Sequence, residues 1–157
     1  MNFTKTMKSQ KIILPFLALF AFGLFVTTAQ AHDDKKKVAG PNGGRILTKV
    51  EPRAEFFVTP DRKIQITFLD QAGKVVAPAG QVVTVTAGER MSPTTLTFTK
   101  SGNKLISNAT LPKGDELPAV VQIKSSPSAK AVTEKFNVDL SKCGECKLAE
   151  YACICAH

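Results

Sequence analysis

The sequence is poor in the residues that most often mark an enzyme. Among its 157 residues there is no Trp, one Tyr and two His. The two histidines are His32 and His157, so the long stretch between them has no imidazole to serve as a general base. A hydrolytic triad is therefore not expected. We predict that the protein has no catalytic residues and is not an enzyme.

Strong charge and a central disulfide are missing as well. The net charge is +8, and it falls to +5 without residues 1–31, which carry three Lys and no acidic residue. This moderate basicity predicts no nucleic-acid partner. No Cys precedes Cys143, so the Trp-covered disulfide between the sheets of antibody domains is also absent.

The first 31 residues have the pattern of a secretory signal peptide. Lys5, Lys8 and Lys11 precede an apolar run over residues 12–26, and small residues follow at a cleavage-like position ending at Ala31. The run is short for a bilayer core of about 30 Å. We therefore predict a signal peptide over 1–31, no stable membrane span after cleavage, and a periplasmic or secreted protein.

Residues 45–140 have the pattern of an all-β domain, preceded by a polar linker over 32–44. In the run Lys63–Leu69, apolar Ile64, Ile66 and Phe68 alternate with mostly polar residues, as in a strand with one buried face. Turn residues separate similar runs, and no stretch has the helical periodicity that a parallel sheet requires. We predict an antiparallel two-sheet sandwich of immunoglobulin-like type, with a small barrel as the alternative.

The alternation predicts eight strands and an inward-facing set of side chains. The strands are Ile46–Val50, Ala54–Thr59, Lys63–Leu69, Gln81–Thr86, Thr94–Lys100, Lys104–Ser107, Ala119–Lys124 and Val132–Asp139. The inward-facing residues are Phe57, Ile64, Ile66, Phe68, Val83, Val85, Leu96, Phe98, Val121, Ile123, Phe136 and Val138. Residues Thr94 to Ser107 are expected to form a hairpin.

The segment Gly40-Pro41-Asn42-Gly43-Gly44-Arg45-Ile46 is a tight-turn sequence that leads the linker into the first strand. Together with Ala54–Val58 and Phe68–Lys74, it resembles a stretch in small exported proteins and in periplasmic adaptor subunits of heavy-metal efflux systems. The resemblance implies a β-sandwich in the cell envelope and a role in metal handling. An envelope metal-efflux component is therefore an expected partner.

A tail over residues 141–157 contains all four cysteines and one of the two histidines. Thiolates and imidazole are the ligands that zinc and copper(I) prefer. The predicted metal ligands are Cys143, Cys146, Cys153, Cys155 and His157. One continuous helix would hold Cys143 and His157 roughly 21 Å apart, so a single ion requires the chain to fold back near residues 147–151.

The same cysteines allow two other interpretations. In an oxidising compartment they could form two disulfides that staple an interaction or structural module without metal. Alternatively, the pair Cys143 and Cys146 could exchange disulfides, although no thioredoxin-like context surrounds it. The preferred hypothesis is an exported envelope protein that binds a soft transition metal, copper or zinc, through the C-terminal cysteines.

Overall fold

The computed structural model describes residues 37–155. The predicted signal peptide, the first part of the predicted linker and His157 lie outside the described residues. Within the described range, no helix combines the length and the apolar character needed to cross a membrane.

The described chain is all-β, as predicted, and it contains nine strands and one 3-10 turn. The strands are β1 (Arg45–Leu47), β2 (Arg53–Val58), β3 (Lys63–Leu69), β4 (Val75–Val76), β5 (Val82–Ala87), β6 (Thr94–Ser101), β7 (Lys104–Thr110), β8 (Glu116–Lys124) and β9 (Val132–Asp139). The 3-10 turn spans Glu150–Ala152. The predicted hairpin is confirmed, because β6 and β7 pair with Ser101 opposite Lys104.

The strands form one antiparallel path that curves into a nearly closed barrel, in the order β1-β2-β3-β7-β6-β5-β8-β9, with β4 paired to β3. The predicted two-sheet sandwich is not confirmed. The reason lies in β6, whose residues 94–97 pair with β5 while residues 98–101 pair with β7. Because β6 pairs with both neighbours, it joins the two halves of the strand order into one curved sheet. The fold therefore matches the small barrel that the sequence allowed as the alternative.

The core lies inside the barrel and follows most of the predicted inward-facing set. Nine of its members are buried: Ile64, Ile66, Phe68, Val83, Val85, Leu96, Val121, Ile123 and Val138. Phe98 and Phe136 are partly buried against them. The prediction for Phe57 is wrong, because Phe56 on the opposite face of β2 is the phenylalanine that is fully buried, and Phe57 is only partly buried. Alternation could not choose between two adjacent phenylalanines.

The glycine-rich turn at residues 40–44 encloses a buried carboxylate. The Glu55 side chain accepts hydrogen bonds from the backbone N–H groups of Asn42 and Gly44, both at 2.8 Å, and from Asn42 Nδ2 at 2.6 Å. A β-carbon on Gly40 would overlap Glu55, and one on Gly44 would overlap the Phe56 carbonyl oxygen. The glycines are therefore required by close packing, and the turn connects the linker to β1 as the sequence predicts.

Candidate metal centre

A short two-stranded ladder after β9 begins the site. Three pairs form it: Ser141 with Glu150, Lys142 with Ala149, and Cys143 with Leu148. The Glu150 N–H donates to the Ser141 carbonyl at 2.9 Å, and the Cys143 N–H donates to the Leu148 carbonyl at 2.8 Å. The chain therefore folds back where the sequence required it, and a continuous helix does not form.

The loop at the tip of this ladder holds the first two cysteines. Lys147 donates its backbone N–H to the Cys143 carbonyl at 3.2 Å, which closes the loop. It does so with a φ of 63°, in the left-handed region that non-glycine residues rarely adopt. Its side-chain ammonium donates to the Gly144 carbonyl. This sharp turn brings the Cys143 and Cys146 side chains to the same side of the loop, facing the chain that returns after the 3-10 turn.

The four cysteine sulfurs lie together. All four Sγ atoms are within 4.8 Å of one another. The Sγ distances are 3.8 Å for Cys143 and Cys155, 3.8 Å for Cys146 and Cys153, and 3.3 Å for Cys143 and Cys153. None of the four forms a disulfide. The cluster therefore has the composition and size of a four-thiolate metal site.

The surroundings of the sulfurs supply backbone donors. The N–H groups of Ile154 and Leu148 hydrogen-bond to the Cys146 sulfur. The Cys155 N–H donates to the Cys153 sulfur at 3.4 Å. Such donors stabilise negative charge on sulfur, so the loop offsets part of the charge that four thiolates would bring together. Cys143 is only 2% exposed, while the other three cysteines are partly exposed.

The thiols differ in acidity for identifiable reasons. The hydrogen bonds from Ile154 and then Leu148 lower the pKa of the Cys146 thiol to about 6. Partial burial, followed by the Glu145 side chain and the neighbouring sulfurs, raises the pKa of Cys155 far above its ordinary value. The Cys155 N–H lowers the pKa of the Cys153 thiol, but partial burial and the sulfurs of Cys143 and Cys146 outweigh it and raise that pKa.

The tail is attached to the barrel through Tyr151. This residue is 5% exposed, and its hydroxyl oxygen accepts the Val58 N–H at 2.9 Å. Its ring meets Phe56 edge-on, with the ring centres 5.8 Å apart. Arg45 donates to the Tyr151 carbonyl at 3.4 Å, and its guanidinium lies 4.7 Å from the centre of the Phe136 ring. The metal-site segment therefore packs on the barrel and is not a detached tail.

The structure brings together four of the five predicted ligands: Cys143, Cys146, Cys153 and Cys155. His157, the fifth, lies outside the described residues, so its role stays a prediction. Sequence reasoning missed the attachment through Tyr151. The available signal was its position: it is the only Tyr of the sequence, and it lies between the two pairs of cysteines, twelve residues after the last predicted strand ends at Asp139.

Comparison with protein-family models, with curated proteins and with solved structures gives no match. The resemblance to efflux adaptor subunits therefore remains a prediction from the sequence.

Proposed function

We propose that this protein is an exported, non-enzymatic metal-binding protein that holds one soft transition-metal ion through Cys143, Cys146, Cys153 and Cys155. The observation that carries the proposal is the convergence of four sulfurs from two separate segments within 4.8 Å. Two cysteines come from the loop before the 3-10 turn, and two follow it.

The distances among the sulfurs favour a tetrahedral site. A zinc–thiolate bond of about 2.3 Å requires tetrahedron edges of about 3.8 Å between the sulfurs. Two pairs that share no residue, Cys143 with Cys155 and Cys146 with Cys153, have this separation of 3.8 Å. They correspond to opposite edges of one tetrahedron. The Cys143 to Cys153 edge, at 3.3 Å, must lengthen slightly when an ion binds, and all remaining separations are within 4.8 Å.

Zinc and copper(I) are the two ions that the ligand chemistry supports, and the geometry favours zinc. Tetrahedral sites of four sulfurs are typical of zinc and of iron–sulfur centres, whereas copper(I) is selected chiefly by the softness of the thiolates. We therefore propose zinc as the preferred ion and copper(I) as the second candidate.

A closed set of four thiolates leaves no coordination position for a water or a substrate. Such sites serve structure, storage or transfer of the ion, and catalytic zinc sites instead keep one position open. Together with the signal-peptide pattern, this supports a protein that holds or delivers metal in the periplasm or outside the cell. The expected partner is an envelope metal-efflux component.

A titration of the reduced mature protein with zinc, and separately with copper(I), tests the proposal. We expect one zinc per chain, and we expect the double variant Cys153→Ser with Cys155→Ser to lose it. The matched control is Met91→Leu, which removes a sulfur that is 92% exposed in the loop between β5 and β6. This control should keep full stoichiometry.

Two results would contradict the proposal. Zinc and copper(I) binding that persists in the double variant would place the ion elsewhere. Absence of binding to reduced wild-type protein, together with two disulfides in the protein recovered from its own compartment, would favour the stapled interaction module instead.

A further inference from the structure

The barrel is not fully closed, because its two edge strands do not pair with each other. In the described part of the chain, β1 and β9 stand at opposite ends of the strand order and do not pair with each other. β1 pairs with residues 54–56 of β2 and begins with Arg45 opposite Phe56. Val58, two residues further along β2, therefore has no strand beside it on that side. Unpaired strand edges readily pair with other chains unless something covers them.

The metal-site segment covers this gap. The 3-10 turn contacts both β1 and β9, and it lies between the two edges. Tyr151 accepts the Val58 N–H that no strand satisfies, and its ring fills the space beside Phe56. Elsewhere along the gap, the Lys49 N–H donates to the Glu134 side chain of β9 at 3.1 Å. The ring and hydroxyl of Tyr151 thus replace part of the missing strand pairing.

Tyr151 lies between the proposed metal ligands in the sequence. Cys146 is five residues before it and Cys153 two residues after it. An ion that joins the two cysteine pairs closes this segment into a loop and removes much of its conformational freedom. Without the ion, the segment is held by the short ladder and by the contacts of Tyr151.

We propose that the metal centre acts as a clasp on the gap between β1 and β9: a bound ion keeps Tyr151 in the gap, and loss of the ion lets Tyr151 leave it and exposes the Val58 edge of β2 to solvent. The proposal rests on the proposed metal-binding function and adds to it a response of the barrel to metal occupancy.

Exchange of the Val58 amide hydrogen tests the clasp directly, because the partner of this N–H is the Tyr151 hydroxyl. The mature protein is compared by nuclear magnetic resonance in its zinc-loaded state and after chelation under reducing conditions. We expect Val58 exchange to accelerate at least about tenfold without zinc, since local opening exposes its amide to solvent. The Val85 amide, in a strand paired on both sides, should change little.

A reciprocal test uses the affinity for zinc. If docking of Tyr151 and binding of the ion favour each other, each raises the equilibrium constant of the other by the same factor, so weaker docking lowers the affinity for zinc. Tyr151→Phe keeps the ring and removes the hydroxyl that Val58 requires. We expect zinc affinity to fall by up to about fivefold, the equivalent of one ordinary hydrogen bond.

The control for this variant is Ser107→Ala. Ser107 is also buried, and its hydroxyl likewise accepts a strand N–H, that of Ile64 at 2.9 Å, but on β7. The Ser107→Ala variant should lower the stability of the fold and leave the affinity for zinc unchanged.

The outcomes separate the clasp from the metal site itself. Stoichiometric zinc binding with unchanged Val58 exchange and an unaltered affinity in Tyr151→Phe would overturn the clasp and leave the proposed function intact. Failure of the reduced protein to bind zinc or copper(I) would overturn both. Because Tyr151 is the only Tyr and there is no Trp, intrinsic fluorescence reports the same movement independently.

Discussion

At the scale of single residues, the four thiols of the cluster are chemically unequal although they are neighbours in space. Backbone N–H groups point at the Cys146 sulfur, whereas Cys155 faces Glu145 and three other sulfurs. One cysteine is therefore prepared to be a thiolate near neutral pH, while Cys153 and Cys155 hold their protons. Cys146 would supply a charged sulfur to an ion bound here, and binding to the other cysteines would require loss of their protons.

This inequality predicts selective alkylation of the metal-free protein. Because the pKa of Cys146 is lowered to about 6, its thiolate predominates above that pH. We expect its rate of reaction with iodoacetamide to rise through a midpoint near pH 6. The rates at Cys153 and Cys155, whose pKa values are raised, should still be increasing well above neutrality.

Peptide mapping of the alkylated protein over a pH series measures the four rates, and zinc-loaded protein is the control because its sulfurs should all be protected. Equal rates at Cys146 and Cys155 at pH 7 would show that the backbone donors do not set the acidity of the cluster.

At the scale of elements, the glycine-rich turn and β2 form one packed unit. The side chain of Glu55 is fully buried, and its hydrogen bonds hold the turn that leads into β1. A buried carboxylate without such donors would be costly. The turn therefore determines where β1 begins, and β1 in turn borders the gap that Tyr151 fills.

We predict that Gly44→Ala destabilises the protein by about 1–3 kcal/mol, because its β-carbon would collide with the Phe56 carbonyl and the Glu55 side chain. Gly144→Ala is the matched control. Gly144 has nothing within 4 Å of an added β-carbon, so the change should stay within about 0.5 kcal/mol. Urea denaturation of both variants checks the difference, and equal stabilities would refute the packing argument.

The strands were predictable to different degrees. Lys63–Leu69 and Val132–Asp139 occur where the sequence predicts them, because clear alternation or flanking turns define their ends. The first strand ends at Leu47 and not at Val50, and the two-residue β4 was not predicted. Pairing between distant strands has no local signal, so the division of β6 between two neighbours, and with it the barrel, could not be read from the sequence.

The sequence predicted which cysteines form the cluster, but it did not predict where the cluster lies on the barrel. Cysteine spacing indicated the ligands and the fold-back near residues 147–151. Attachment of the segment to the barrel depends on a hydrogen bond between Val58 and Tyr151, which are 93 residues apart. Such a contact leaves no periodic pattern, and only the assembled barrel shows that β2 has an open edge at Val58.

At the scale of the whole molecule, the barrel has its own core, and an ion held by the four cysteines would be an added constraint. Fully buried side chains such as Phe56, Phe68 and Leu96 come from strands that precede the cysteine segment. The fold should therefore survive loss of the ion. A ligand that binds only the folded state still stabilises it, by about 4 kcal/mol at a thousandfold excess over its dissociation constant.

We predict that chelation lowers the melting temperature while unfolding stays cooperative. Calorimetry of the reduced protein with zinc and with excess chelator measures the change, and the double variant Cys153→Ser with Cys155→Ser should not respond to zinc. Loss of all cooperative unfolding on chelation would show that the ion holds the barrel itself together.

The central claim is that an exported protein carries one metal ion on four thiolates. A native mass spectrum of the protein purified from its own export compartment, without air and without chelator, tests it most directly. The account predicts a chain that has lost residues 1–31 and carries one zinc ion, which is absent when the four cysteines are changed to Ser. A metal-free mass lower than the reduced value by four hydrogens would mean two disulfides and would contradict the account.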